Sequence, residues 1–142
     1  MTPRHATEDD IDAMAEVLQS AMSNPWSRRQ LSGSLALPST RCWVLGTPII
    51  GVLVACSLPP EGEILSLAVD KAARRRGAAS ALIAACETGW ASEGVTTAWL
   101  EVRDDNLPAV ALYHARGWTN AGIRAKYYAD RSNARILRWS AP

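Results

Sequence analysis

The chain has 142 residues, of which 48% are hydrophobic and 20% are charged, so it can bury a core as one domain spanning residues 1–142. Its net charge of +1 excludes a general attraction to nucleic acid or to an anionic membrane surface. No apolar run approaches the roughly 20 residues that a membrane-spanning helix needs, and the polar first residues do not resemble a signal peptide.

The three cysteines, Cys42, Cys56 and Cys86, lie far apart in the sequence. Their number is odd and they form no CxxC pair, so they favour neither a disulfide framework nor a zinc site. We expect each thiol to behave as a small buried apolar group in the reducing cytoplasm, and we expect no metal.

The first predicted elements are an edge strand at residues 3–6 and a helix at residues 8–22. Thr7 is a favoured N-cap residue type, and the acidic residues that follow it suit the positive end of a helix. The apolar residues that recur at helical spacing are Ile11, Met14, Ala15, Leu18 and Met22. A second, short helix is predicted after Ser27, which is also a favoured cap.

Strands and helices alternate in the rest of the chain. The predicted strands are residues 41–45, 49–57, 63–70, 95–103, 118–128 and 135–139. The predicted helices are residues 73–92, with Ala81, Leu82, Ala85, Cys86 and Trp90 facing the core, and residues 106–117, with Leu107, Val110, Ala111 and Tyr113 as the apolar side. Because helices separate consecutive strands, we predict an α/β fold whose mixed sheet is at least partly parallel.

A basic, glycine-containing turn joins the strand at residues 63–70 to the helix that follows. Its residues are Arg74, Arg75, Arg76, Gly77, Ala78, Ala79 and Ser80. The first turn of a helix has free N–H donors and a partial positive charge, and a glycine lets a diphosphate approach the backbone closely. The turn therefore predicts a binding site for the diphosphate of a nucleotide cofactor, although most runs of charge are simply solvated.

The segment from Ile64 to Ala79 resembles the acetyl-coenzyme A (acetyl-CoA) binding segment of the Gcn5-related N-acetyltransferase (GNAT) superfamily. That signature is a strand followed by Arg/Gln-x-x-Gly-x-Gly/Ala, which Arg74, Gly77 and Ala79 match. The pattern is neither a P-loop nor a dinucleotide-binding fingerprint, because it lacks the lysine of the first and the glycine spacing of the second.

Further matches in order resemble the RimI-type branch of this superfamily, whose members acetylate the N-terminal alanine of a small-subunit ribosomal protein. They are Pro25-Trp26-Ser27, Trp99-Leu100-Glu101-Val102-Arg103, Asn106, Ala111-Leu112-Tyr113, Gly117-Trp118 and Arg124-Ala125-Lys126-Tyr127-Tyr128. The resemblance covers about residues 7–128 and implies a central twisted mixed sheet flanked by about four helices. The chain departs from the branch at Ala79, at Trp118 in place of phenylalanine, and at Ser132-Asn133 in place of an acidic pair.

The resemblance implies acetyl-CoA as the acetyl donor, with no metal. The residues that it assigns to cofactor binding are Leu67, Ala68, Val69, Arg74, Arg75, Arg76, Gly77, Ala78, Ala79, Ser80 and Asn106. The strand residues would offer main-chain groups to the pantetheine arm and to the thioester oxygen. Asn106 would bond to pantetheine while also capping its helix.

The resemblance makes Glu101 the general base and Tyr113 the general acid of direct acetyl transfer to an amine. A carboxylate in a strand bounded by apolar residues is costly unless it has a role or a partner. The alternative is that Glu101 pairs with Arg103 or another basic residue at the end of the sheet. For Tyr113, the alternative is an ordinary helix aromatic that packs on the sheet.

The implied acceptor is the N-terminus of a protein, and a ribosomal protein is the partner that the branch suggests. An α-amine titrates near ~8 and a lysine near ~10.4, so deprotonating the lysine costs about 3 kcal/mol more at neutral pH. Two alternatives stay open: the same fold acting on a small-molecule amine or a lysine side chain, and a non-catalytic acyl-CoA-binding module. We expect a monomer or weak dimer.

Overall fold

One seven-stranded mixed sheet organises the computed structural model, which describes residues 1–142. The strands are β1 Arg4–His5, β2 Thr40–Leu45, β3 Gly51–Leu58, β4 Glu61–Val69, β5 Thr97–Arg103, β6 Thr119–Arg124 and β7 Ala134–Ser140. The helices are α1 Ile11–Ala21, α2 Arg28–Leu35, α3 Ala78–Glu93 and α4 Leu107–Ala115. The strand order is β1-β2-β3-β4-β5-β7-β6, and only β4 and β5 run parallel. Parallel neighbours need a crossover connection, and α3 provides it.

The second helix begins at its predicted cap, Ser27, whereas the first, predicted at residues 8–22, begins at Ile11 with Asp10 as its N-cap. Thr7 precedes a short 3-10 turn, Glu8–Asp10, and donates its main-chain N–H to the Asp10 carboxylate at 2.8 Å before α1 begins. Ser27 accepts a hydrogen bond from the main-chain N–H of Gln30 at 3.1 Å, and the Gln30 side chain accepts one in return at 2.8 Å. Both caps satisfy N–H groups that a helix leaves free.

Helices cover both faces of the sheet. On one face α3 packs over a cluster that contains Leu53, Leu82, Trp90, Leu100 and Leu137. On the other face α1 and α2 cover a smaller cluster built around Met14, Leu18, Leu31, Val52 and Val54. None of the helices combines the length and the apolar character that a membrane-spanning segment needs.

A β-bulge interrupts β4 next to the parallel pair. The register with β3 shifts so that Val54 lies opposite Ser66 while Ala55 lies opposite Ile64, which leaves Leu65 without a partner. Ile64 therefore packs on the α3 side, whereas Ser66 lies on the opposite face and donates to the Met22 sulfur at 3.4 Å. The side chains on the second half of β4 are thereby re-aimed.

The same region of the sheet opens into a cleft. β4 pairs with β5 only from Glu61 to Ile64 on one strand and from Thr97 to Leu100 on the other. Beyond these residues β4 stays with β3, and β5 stays with β7, so the two central strands separate. The main-chain groups on the inner edges of both strands are left without a sheet partner there.

Several predicted boundaries of helices and strands were wrong, and in two cases the backbone conformation explains why. The long helix was predicted to begin at residue 73, but α3 begins at Ala78 because Arg75 and Gly77 have φ angles of 65° and 76°, which a right-handed helix does not contain. The strand predicted at 118–128 ends at Arg124, and Lys126, with a φ of 54°, turns the chain away. The strand predicted at 49–57 begins two residues later, at Gly51.

The buried sides of α3 and α4 also differ in part from the prediction. Leu82, Cys86 and Trp90 are buried as predicted, whereas Ala81 and Ala85 are only half-buried. On α4 the predicted apolar side is right for Val110 and Tyr113, but Leu107 is 66% exposed and Ala111 is also exposed. Apolar residues occur on all sides of α4, so the spacing of apolar residues in its sequence does not identify the side that packs on the sheet.

Candidate active site

The cleft between β4 and β5 has a volume of about 530 Å³ and brings together residues from five parts of the chain. Its walls are Ala21 to Asn24 after α1, the second half of β4, the end of β5, the first turns of α4, and Tyr128 from the β6–β7 loop. Glu101 on β5, Asn106 at the N-terminus of α4 and Tyr113 within α4 all face this space. The two residues predicted to perform acid–base chemistry therefore share one cavity.

Glu101 lies on the open face of β5, with 27% of its side chain exposed. Its Oε1 accepts a hydrogen bond from Arg124 Nη1 at 2.7 Å, while Oε2 has no partner in the protein. The pairing raised as the alternative role is present, although the partner is Arg124 and not Arg103. Arg103 instead binds Asp105 and Asp130, and lies 5.3 Å from the centre of the Tyr128 ring.

A second carboxylate, Glu63, lies near Glu101 on the neighbouring strand. Its strand position is opposite Trp99, which shares a face of β5 with Glu101. Desolvation by the surrounding side chains, and then the negative charge of Glu101, raise the pKa of Glu63 above its usual value. Two carboxyl groups therefore lie near each other on adjacent strands, and of these Glu101 lines the cleft.

Tyr113 lies on the buried side of α4 and is only 5% exposed. Its ring meets Trp118 edge-on, with the centroids 5.5 Å apart. The Tyr113 hydroxyl makes no hydrogen bond within the protein. Every fully buried polar side-chain atom does have a hydrogen-bond partner, so this hydroxyl is not fully buried and reaches the cleft. Burial raises the pKa of Tyr113, which keeps the phenol protonated at neutral pH, as a proton donor must be.

The second half of β4 points main-chain groups into the cleft at alternate residues. Asp70 donates its N–H to the carbonyl of Ile50, the residue before β3, at 2.8 Å, so Ala68, two residues earlier, faces β3. Leu67 and Val69 direct their main-chain groups the other way, toward the cleft. The Val69 carbonyl accepts from Arg74 Nε at 3.4 Å, which agrees with this direction.

The basic turn forms a row of free amides. No main-chain N–H from Arg75 to Ser80 donates to an acceptor within the protein. The left-handed conformations of Arg75 and Gly77 curl this segment, and such curled runs of N–H groups bind anions. The amides border a cavity of about 320 Å³ whose walls are Val69, Ala73, Arg74, Arg75, Gly77, Ala78, Ala79, Ser80, Pro108 and Leu112; Arg76 lies outside it.

Asn106 performs its predicted local role and also lies in the cleft. Its side-chain oxygen accepts from the main-chain N–H of Ala109 at 3.3 Å, which caps α4. The side-chain NH₂ makes no hydrogen bond within the protein and remains available to a ligand. The structure therefore leaves room for both roles.

The cysteines occupy the apolar positions predicted for them in two cases. Burial raises the pKa of Cys42 to about 11 and also raises the pKa of Cys86, so both thiols stay protonated at neutral pH. Cys56 is half-buried. The chain has no group of three or more His, Cys, Asp or Glu side chains arranged to hold a metal ion.

Sequence reasoning missed the role of Arg124 and a buried acidic residue on α3. Arg124 lies in a segment that resembles the RimI-type branch, but its contact with Glu101 depends on strand pairing and not on local spacing. Glu87, which is 9% exposed, accepts from the Trp118 indole N–H at 2.8 Å and from Arg116 at 2.7 Å. The tryptophan in place of phenylalanine was a signal for such an acceptor, because a buried indole N–H requires one.

The site is an open cleft between two strands that separate. A carboxylate and a phenol line this cleft, and a row of free amides adjoins it. These features together define the site of an acyl-CoA-dependent transferase. Residues 11–118 match the acetyltransferase (GNAT) family. The chain belongs to this family and is an acetyl-CoA-dependent N-acetyltransferase.

Two comparisons show similarity over nearly the whole chain. Ribosomal protein bS18-alanine N-acetyltransferase of Haemophilus ducreyi is 31% identical over 135 residues, which cover 92% of this chain and 93% of that protein. The crystal structure of ribosomal-protein-S18-alanine N-acetyltransferase from Escherichia coli superposes with a TM-score of 0.91 at 27% identity, covering 99% of this chain and 93% of that one. The mixed-sheet GNAT fold expected from the sequence is confirmed.

A more distant structure shares the fold alone. Arabidopsis thaliana NAA60 in complex with acetyl-CoA superposes with a TM-score of 0.87 at 16% identity, covering 97% of each chain.

Gly77→Ala is expected to weaken CoA binding, measured by calorimetry, by about tenfold. A left-handed residue with a Cβ is strained by roughly 1–2 kcal/mol, and at residue 77 this strain and the added methyl group act on the segment whose free amides would bind the diphosphate. Gly117→Ala is the matched control, since its φ of 90° carries the same strain and its Cβ, like that of Gly77, meets nothing within 4 Å. Equal CoA affinities for the two variants would contradict the proposed diphosphate site.

Proposed function

We propose that this enzyme transfers the acetyl group of acetyl-CoA to the N-terminal α-amine of a protein, most specifically to the N-terminal alanine of a small-subunit ribosomal protein. The acceptor follows from the relatives named as ribosomal protein bS18-alanine N-acetyltransferases, and the cytoplasm is the location that it implies. The observation that carries the proposal is the shared cleft of Glu101 and Tyr113 beside the free amides of the basic turn.

The residues of the basic turn fit a diphosphate. The N–H groups from Arg75 to Ser80 would bind its oxygens, and Arg74 and Arg75 add positive charge at the same cavity. From there the cleft leads along β4, where Leu67 and Val69 present free main-chain groups to the pantetheine arm. A main-chain N–H in this stretch would also stabilise the oxyanion that forms on the thioester.

Acetyl transfer then proceeds by direct attack. The acceptor ammonium gives a proton to Glu101, directly or through a water molecule, and the free amine attacks the thioester carbon. The new C–N bond forms as the C–S bond breaks, and the sulfur takes its proton from Tyr113. The second proton of the attacking nitrogen is lost to water, and the Tyr113 phenolate is protonated again from solvent, so the products are the amide and the free thiol. Protonated Cys42 and Cys86 are poor nucleophiles, so a route through an acetylated cysteine is not favoured.

A carboxylate base suits an α-amine better than a lysine. The α-amine, with a pKa near ~8, is partly deprotonated at neutral pH, whereas the lysine amine near ~10.4 is almost fully protonated. Alignment in the cleft supplies the remaining advantage by making the attack effectively unimolecular.

The test is mass spectrometry of short peptides incubated with acetyl-CoA and the enzyme. One peptide has a free N-terminal alanine and no lysine, and a second has a blocked N-terminus and one internal lysine. We expect a gain of one acetyl group on the first peptide at its α-amine. No gain there on any alanine peptide, or a faster reaction of the lysine, would reject the proposed acceptor.

Tyr113→Phe is expected to lower kcat by about 10²-fold, because the variant keeps the ring that packs on Trp118 and loses only the proton donor. Steady-state kinetics with a thiol-detecting reagent measures the change, and the KM for acetyl-CoA should stay within about threefold. Tyr127→Phe is the matched control, since that hydroxyl lies on an exposed ring. Equal rates for wild type and Tyr113→Phe would remove the tyrosine from the mechanism.

A further inference from the structure

The ion pair between Glu101 and Arg124 presents a hydrogen-bond acceptor and hydrogen-bond donors side by side. It lies where the amine that receives the acetyl group would bind in the proposed reaction. Arg124 Nη1 donates to Glu101 Oε1 at 2.7 Å, which leaves Oε2 free. The Arg124 guanidinium donates to no other carboxylate or carbonyl, so N–H groups of the guanidinium remain available as donors. With 51% of the Arg124 side chain exposed, these donors are open to an arriving ligand.

The position of Arg124 is fixed from two sides. Its guanidinium lies over the Tyr127 ring, with Cζ 4.1 Å from the ring centre. The ring covers one face of the guanidinium, whereas the N–H bonds lie in its plane, so stacking holds the group without consuming its donors. Two residues after Arg124 the chain turns at Lys126, whose main-chain N–H donates to the Asn133 side chain at 3.0 Å.

The first residue of an unblocked peptide has the complementary arrangement. Its ammonium group carries donors and its carbonyl oxygen is an acceptor. The two carbon atoms between them, the Cα and the carbonyl carbon, keep the nitrogen and the oxygen about 3 Å apart. We propose that Glu101 Oε2 receives the ammonium while Arg124 donates to the first carbonyl oxygen, so that Arg124 selects aminoacyl acceptors over plain alkyl amines. This inference rests on the proposed N-terminal acetylation and names the residue that determines its specificity.

The arrangement explains how one site distinguishes an N-terminus from a lysine side chain. The ε-amine is joined to a chain of methylene groups and has no carbonyl at the matching place, so Arg124 contributes nothing to its binding. A charged hydrogen bond that is made to one acceptor and lost with the other changes kcat/KM by about 10- to 100-fold. Arg124 keeps its bond to Glu101 throughout, and no proton leaves the guanidinium.

The experiment compares two acceptors in two enzymes. One acceptor is an alanine peptide, and the other is the same peptide with its first peptide bond replaced by a carbon–carbon double bond, which removes the carbonyl oxygen. In the wild-type enzyme the normal peptide should be preferred by about 10- to 100-fold in kcat/KM. In Arg124→Gln the preference should fall by at least about tenfold, because the cationic donor is gone. The ratio of the two preferences cancels any difference in amine basicity.

The controls separate this role from a structural one. Arg28→Gln is the matched variant, because Arg28 is 53% exposed and pairs with Asp12 at 2.7 Å, and neither residue lines the cleft. It should keep the wild-type preference. A loss of fold would instead lower the rates of Arg124→Gln on both acceptors by the same factor. Arg124→Lys, which keeps a cation at the site, gives a second measurement and should retain part of the preference.

The outcomes for this inference and for the proposed function are distinguishable. If the wild-type enzyme does not acetylate the alanine peptide, the proposed function itself fails. If the wild-type enzyme is active, but Arg124→Gln discriminates between the two acceptors as strongly as the wild type, only the role of Arg124 is overturned.

Discussion

Glu101→Gln is expected to lower kcat by about 10²- to 10⁴-fold, the range that removal of a general base produces. Glutamine keeps the size of the side chain and an oxygen that can accept from Arg124 at the present 2.7 Å. It cannot take up the proton of the acceptor amine at neutral pH. The loss should therefore fall mainly on the chemical step, with a smaller rise in the acceptor KM because Oε2 no longer carries charge.

Steady-state kinetics with an alanine peptide gives kcat and KM, and calorimetry gives the affinity for CoA. The CoA affinity should not change, because the amides from Arg75 to Ser80 lie at the other end of the cavity system. Glu16→Gln on the exposed side of α1 is a control for loss of a carboxylate. A kcat for Glu101→Gln within about threefold of the wild type would show that another group removes the proton.

Folding should hardly change in this variant. The Glu101–Arg124 pair is partly exposed, and solvent screening leaves ion pairs of this kind with little effect on the free energy of unfolding. A large decrease in rate without a change in the melting temperature would therefore place the role of Glu101 in chemistry. This separation is available because the ion pair lies at the rim of the cleft and not in the core.

The parts of the site that the sequence predicted are those built by neighbouring residues. The basic turn needs only Gly77, the arginines before it and a helix after it, and the structure has this local order. The role of Asn106 as a cap is equally local, since its partner is three residues away. In both cases the residue type itself explains the local structure: glycine tolerates the left-handed turn, and asparagine accepts a hydrogen bond at the start of a helix.

The parts that the sequence did not predict depend on pairing between distant segments. Arg124 reaches Glu101 only because β7 lies between β5 and β6, and because the strands are in one particular register. The bulge at Leu65, which sets the direction of the side chains near the cleft, is likewise a property of the pairing of β3 with β4. β3 is buried on both faces and β6 is exposed along its whole length, so neither strand has the alternation of buried and exposed residues that would determine its register.

The buried side of α4 illustrates a different limit. Apolar residues occur all around this helix, so any side is compatible with the sequence, and Leu107 was assigned to the core although it is 66% exposed. Tyr113 and Val110 are buried because α4 must cover Trp118 and the end of the sheet. Packing, and not periodicity, selects the side that is buried.

Glu87→Ala is expected to lower the free energy of unfolding by about 3 kcal/mol, the lower end of the range for breaking a buried ion pair. The Glu87 carboxylate accepts from the Trp118 indole N–H at 2.8 Å and from Arg116 Nη2 at 2.7 Å. The substitution leaves a fully buried N–H without an acceptor and a guanidinium without a counter-ion. The lower end of the range applies because 28% of the Arg116 side chain is exposed and water can solvate it.

Thermal unfolding measures the change, and for a chain of this length we expect the melting temperature to fall by about 10 °C. Glu87→Gln keeps an oxygen acceptor for Trp118, so it should lose less than half as much stability. Trp118→Phe in the Glu87→Ala background removes the stranded N–H and should recover part of the loss. If Glu87→Ala were as stable as Glu16→Ala on the exposed side of α1, the carboxylate would not be what lets this fold bury a tryptophan beneath Tyr113.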